Sequence, residues 1–181
     1  MLFRSSSWLD SPYTLIFACA STLPLMLLFP HTRNRPPYNL LLLFTLTFPT
    51  SLMVSFACLH APVVIVVEAG ATAILIFLTL TFVALFWGHK IISHTLEVVL
   101  GIGLMTLIGF SVVQLFVVSP MLHSFIAWSA IVLFCGYILY DTSLLAHSVQ
   151  DPVEACLCLY LDGINLFLSL LEVLNAENVR S

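Results

Sequence analysis

The chain has 181 residues, enough for one domain of ordinary size, and it is 61% hydrophobic with only 8% charged residues. Soluble domains carry about 25% charged residues, so a chain with a mean hydropathy of +1.12 lacks the polar surface to stay in water and reads as a polytopic membrane protein. With five Lys and Arg and no basic stripe, its net charge of −4 gives nucleic acid no footing as a partner.

A membrane helix needs roughly 20 mostly apolar residues to cross a hydrocarbon core of about 30 Å. In chain order, that requirement is met at about 12–30, 38–58, 61–87, 96–118, 121–146 and 153–174. The expected fold is therefore all-α, a single transmembrane domain over 1–181 with about six spanning helices. The opening stretch, MLFRSSSWLDSPYTLIFACASTLPLMLLFP, is too long and too continuous with later spans for a signal peptide, and reads as a retained first span. The last segment reads as a full span or, alternatively, as a re-entrant hairpin. The connections HTRNRPP (31–37), GHKIISH (88–94) and HSVQDP (147–152) are short and leave no room for a soluble domain. With six spans these three loops share one face, which holds Arg33, Arg35 and Lys90, whereas the opposite connecting loops hold no Lys or Arg. The basic loops are expected on the cytosolic side.

The cysteines lie mostly within or at the ends of apolar runs and read as small core-filling residues. Gly101, Gly103 and Gly109 are expected to permit close helix contact, and Pro24 and Pro49 to kink their helices. All six histidines fall in loops or at span ends. Of these, His147 is the one singled out as a modulator of pH response, because it lies beside an intramembrane aspartate.

Ionisable residues inside spans cost about 2.5–3.5 kcal/mol each on insertion scales, which makes them functional candidates. Glu68, Asp141 and Asp162 stand out. In the last span Cys158, Asp162, Asn165, Ser169 and Glu172 fall within an arc of roughly 80°, at about 100° per residue, while the rest is Leu, Ile and Phe. Such an arc is also what a face packed on other helices shows, with small and polar residues as its contacts. Asp141 is about five residues from the end of its span and Asp162 about nine from the start of the next, so they lie roughly 8 and 14 Å deep. Antiparallel neighbours joined by a short loop bring both acids to similar depth in one leaflet, where they can meet. Two carboxylates in a dry site cannot both ionise cheaply, and the pair holds one proton between them. Gaining or losing that proton makes a pH-biased two-state latch, and freed carboxylates on a path make a cation site. Glu68 shares a helix face with Thr72 and Thr79 and lies in the opposite leaflet. It reads equally as a packed acid or as a residue lining a cation route.

RPPYNLLLLFTLTF (35–48), LFCGYILYDT (133–142) and LYLDGINLFLSLL (159–171) resemble the transmembrane BAX inhibitor motif family, most of all its Lifeguard and Golgi anti-apoptotic branch, which also has viral members. The resemblance covers about residues 13–175. It implies that the six spans match the last six of a seven-helix BAX inhibitor fold, in an ER or Golgi membrane protein that leaks calcium and restrains apoptosis. The family's paired aspartates fall on Asp141 and Asp162, the implied pH-sensitive gate and transient Ca²⁺ ligands, with Glu68, Asn165, Ser169 and Glu172 as candidates to line the pore. Calcium is thus implied as the permeant ion, with no cofactor. Bcl-family proteins and inositol trisphosphate receptors are implied as partners alongside the lipid bilayer. The chain resembles an N-terminally shortened form of the family. It also carries Gly163 where the family prefers a branched apolar residue, which is expected to loosen the helix beside the gate.

Two other functions compete. Paired intramembrane aspartates also resemble presenilin-type aspartyl proteases, but those need Gly-x-Gly-Asp and Pro-Ala-Leu motifs. Here LYL precedes Asp162 and no Pro-Ala-Leu occurs, so an enzyme is not expected. The remaining alternative is a non-conducting membrane regulator that binds death-pathway proteins.

Overall fold

The computed structural model describes residues 21–22, 38–117, 119–147 and 152–180. The segment 12–30, predicted as the first span, lies almost wholly outside the described residues, as do Pro24, Arg33 and Arg35. The described residues form helices α1 (Tyr38–Leu59), α2 (Val63–Ile91), α3 (His94–Phe116), α4 (Pro120–His147) and α5 (Pro152–Arg180), with no strand among them. The chain divides into two compact units, Met1–Val63 and Val64–Ser181.

In the first unit, α1 stays helical through Pro49. Proline removes a backbone donor and clashes with the preceding turn, and hydroxyl side chains compensate such defects in apolar helices. Pro49 leaves the Thr45 carbonyl without its helical donor, and in the adjoining turn Thr50 donates to the Leu46 carbonyl at 3.0 Å and Ser51 to that of Thr47 at 2.6 Å.

The second unit is built from α2 to α5, and each contains a stretch long and apolar enough to cross a membrane: Val63–Gly88, His94–Phe116, Pro120–His147 and Val153–Val179. Many large side chains lie exposed on them, among them Phe82, Ile102, Met105, Phe116 and Val132. That outer surface suits hydrocarbon as a solvent, and a helix bonds its interior backbone groups within the same segment. The boundaries have local causes. α2 begins directly after Pro62, the place where a missing N–H does no harm. α3 begins at Ser93, whose side chain accepts from Thr95 N at 3.2 Å, an N-cap bond of the kind serine favours. The last segment is one unbroken helix of 29 residues rather than a hairpin.

The main contact is between α4 and α5, followed by α3 with α4. Ile138 and Ser143 of α4 and Leu166 of α5 are almost wholly buried. Small residues let backbones approach, but not where the sequence suggested throughout. A Cβ on Gly103 would come 2.7 Å from Leu133 Cδ1, and one on Gly136 would come 2.8 Å from Leu100 Cδ2, so these two seat α3 on α4. Gly101 and Gly109 face nothing within 4 Å. α2 meets α4 at Gly88, where a Cβ would lie 2.9 Å from Ser143, and it meets α5 where Phe77 approaches Gly163.

Candidate functional site

α4 and α5 run antiparallel on either side of the short connection 148–151, and their facing sides carry Asp141 and Asp162. Asp162 is buried, only 8% exposed, and Asp141 is half-buried. Their carboxyl groups lie within hydrogen-bonding reach of each other, and neither has a Lys or Arg partner among the described residues. Oδ2 of Asp162 is buried with no donor from any other described residue. With both groups ionised such a contact is repulsive, and a single proton turns it into a hydrogen bond.

The surroundings reinforce the negative character of this end of the α4–α5 pair. Tyr137 lies within electrostatic reach of both aspartates, and so does the Cys158 thiol, which Glu154 also faces. Tyr140, next to Asp141, lies within electrostatic reach of both that aspartate and Glu97 of α3. Glu97 is in turn 3.3 Å from His94 Nδ1. Thr142, also buried, has a hydroxyl oxygen without a partner among the described residues.

The other polar residues predicted on α5 are not all alike. Ser169 is buried and donates to the Asn165 carbonyl at 2.8 Å, so its hydroxyl is engaged within its own helix. Asn165 is half-buried. Glu172 lies far from the aspartates along the helix, where its Oε1 is 3.0 Å from His123 Nε2 of α4. Glu68 is exposed on α2 near the start of that helix. His147 is exposed, with Nδ1 3.1 Å from the Ser143 carbonyl of its own helix. The histidine engaged across helices is thus His123, which sequence reasoning treated as interfacial. The available signal was its place three residues into α4, opposite the far end of α5. Among the described residues no three or more His, Cys, Asp or Glu side chains are grouped to hold a metal ion.

Long apolar helices enclosing a partnered acid pair define an integral membrane protein of the polytopic helical class. The sequence matches the family described as inhibitor of apoptosis-promoting Bax1 over residues 1–179, and the chain belongs to that BAX inhibitor motif family. It is 33% identical to the protein lifeguard 4 of Mus musculus over 171 residues, 93% of this chain and 71% of the relative. It is 31% identical over 170 residues to the Golgi anti-apoptotic protein of Vaccinia virus (strain Lister), with the same two coverages, 93% and 71%. An uncharacterised protein of Campylobacter jejuni matches at 31% over 182 residues, 97% of this chain and 78% of the relative.

Proposed function

We propose that the protein is a pH-sensitive calcium leak of ER or Golgi membranes that lowers store calcium and inhibits apoptosis. The observation that carries this reading is the meeting of the Asp141 and Asp162 carboxyl groups across the α4–α5 contact. With one proton shared, the pair ties the two helices together. Without it, the like charges favour separation and leave two carboxylates free to meet a Ca²⁺ ion in passing. Glu68, Asn165, Ser169 and Glu172 are proposed as further oxygen-bearing residues along the ion's route. The names of the relatives, a Golgi anti-apoptotic protein among them, support the compartment and the cellular role, and Bcl-family proteins and inositol trisphosphate receptors are the proposed partners.

The test is calcium efflux from vesicles containing the purified protein, measured across pH. Wild-type flux should change several-fold over the range in which the pair titrates. Asp141→Asn and Asp162→Asn keep the side-chain shape but cannot ionise. Each should lower the leak and flatten its pH dependence, and the double substitution should add little, because members of one network are not additive. An intact pH response in either variant, or additive effects, overturns the gate. Vesicles that hold calcium at every pH while the protein still protects cells would favour the non-conducting regulator.

A further inference from the structure

At the opposite end of the α4–α5 pair from the aspartates, three helices are joined through one imidazole. His123 sits three residues into α4. Its Nε2 is 3.0 Å from Glu172 Oε1 of α5, and its Nδ1 is 2.6 Å from Gln114 Nε2, near the end of α3. The side chains of His123 and Glu172 are only 46% and 37% exposed, so the contact is partly shielded from solvent. Beside it is a cavity of about 30 Å³ lined by α4 and α5, including Ser124, Trp128, Glu172 and Glu177. Among the described residues the charged groups facing the imidazole are therefore Glu172, in contact, and Glu177, across the cavity. α3 contributes the uncharged Gln114.

We propose that Gln114, His123 and Glu172 form a pH-responsive clasp that ties the ends of α3, α4 and α5 together and tightens in acid. With the ring neutral, Nε2–H donates to the Glu172 carboxylate and Nδ1 accepts from the Gln114 amide, so one tautomer satisfies both partners. Protonation places a hydrogen on Nδ1 as well. Gln114 accommodates it by turning its amide end for end, so that Oε1 accepts. The contact to Glu172 then becomes a charge-assisted hydrogen bond, the stronger kind. An unclasped imidazolium loses that carboxylate, so proton binding and clasping favour one another. The clasp strengthens as pH falls through the range, about pH 5–8, in which imidazole changes charge.

The test uses the full chain in lipid nanodiscs, with the midpoint of thermal unfolding followed against pH. Glu172→Gln can still accept Nε2–H through its amide oxygen but cannot ionise. Relative to E172Q, the wild-type midpoint should rise by about 2–4 °C between about pH 8 and pH 6. His123→Gln should remove the same pH-dependent increment, and the double variant should lose no more. If E172Q keeps the wild-type pH slope, the clasp is refuted. A second measurement does not depend on H123Q folding. In protein carrying ¹⁵N-labelled histidine, one ring should show the Nε2–H tautomer at high pH and a titration that E172Q displaces. Six rings whose titrations are all unmoved by E172Q would refute it equally. Neither readout involves calcium flux, so the clasp and the leak stand or fall separately.

Discussion

Gly88 of α2 lies against Ser143 and His147 of α4, and replacing it with alanine perturbs that contact. The added Cβ would lie 2.9 Å from Cβ and Oγ of Ser143 and from Nδ1 of His147. Carbon atoms in good contact lie about 3.5–4.0 Å apart, so the groups must separate by about 0.6–1.1 Å. Ser143 cannot give way by rotation, because its Cβ is fixed to a buried stretch of α4 and its hydroxyl is already bonded to the Leu139 carbonyl at 2.6 Å. The helices must move instead. Overpacking of this kind costs about 1–3 kcal/mol, and the better helix propensity of alanine offsets about 1 kcal/mol of it. The net loss of up to about 2 kcal/mol corresponds to a fall of up to about 8 °C in the unfolding midpoint. Thermal unfolding of Gly88→Ala in nanodiscs reads this directly. Gly101→Ala serves as the comparison, because a Cβ there meets nothing and should leave the midpoint unchanged or raised. A G88A midpoint equal to or above that of G101A would refute the close approach of α2 and α4.

Two further outcomes follow from charge placement. A glycosylation acceptor inserted between Cys58 and Pro62 should be modified in the ER lumen and one inserted near Lys90 should not, and the reverse pattern overturns the cytosolic placement of the basic loops. Glu68→Gln should reduce calcium flux from vesicles while leaving the protein inserted and abundant. Unchanged flux with reduced abundance would make Glu68 a packing residue.

Hydropathy located the described helices to within a few residues, and the differences have physical reasons. The segment expected to end at 87 runs on to Ile91, and the one expected to end at 174 runs on to Arg180. Apolar composition marks where hydrocarbon stops, whereas a helix ends only where its backbone pairing ends. The meeting of Asp141 and Asp162 was legible because depth along two antiparallel helices joined by a short loop can be counted. Contacts that depend on rotation about a helix axis were not. Gly101 and Gly103 are two residues apart, yet only Gly103 faces α4. Gln114, His123 and Glu172 meet across three helices, and no spacing along the chain announces that meeting.

The helices of the second unit differ in length in a way that bears on the bilayer. At 1.5 Å per residue, α2 and α5, with 29 residues each, and α4, with 28, are about 42–44 Å long, whereas α3, with 23, is about 34 Å. A tilt near the usual 20° brings α3 close to the thickness of a 30 Å core, but it leaves about 10 Å of each longer helix outside. Those protruding ends carry groups suited to headgroups and water, such as Lys90 on α2 and Asn175, Glu177 and Asn178 on α5. A thicker membrane is met by drawing such ends inward, while α3 has no comparable reserve. Within the second unit, hydrophobic mismatch therefore falls first on α3, the shortest of its four helices.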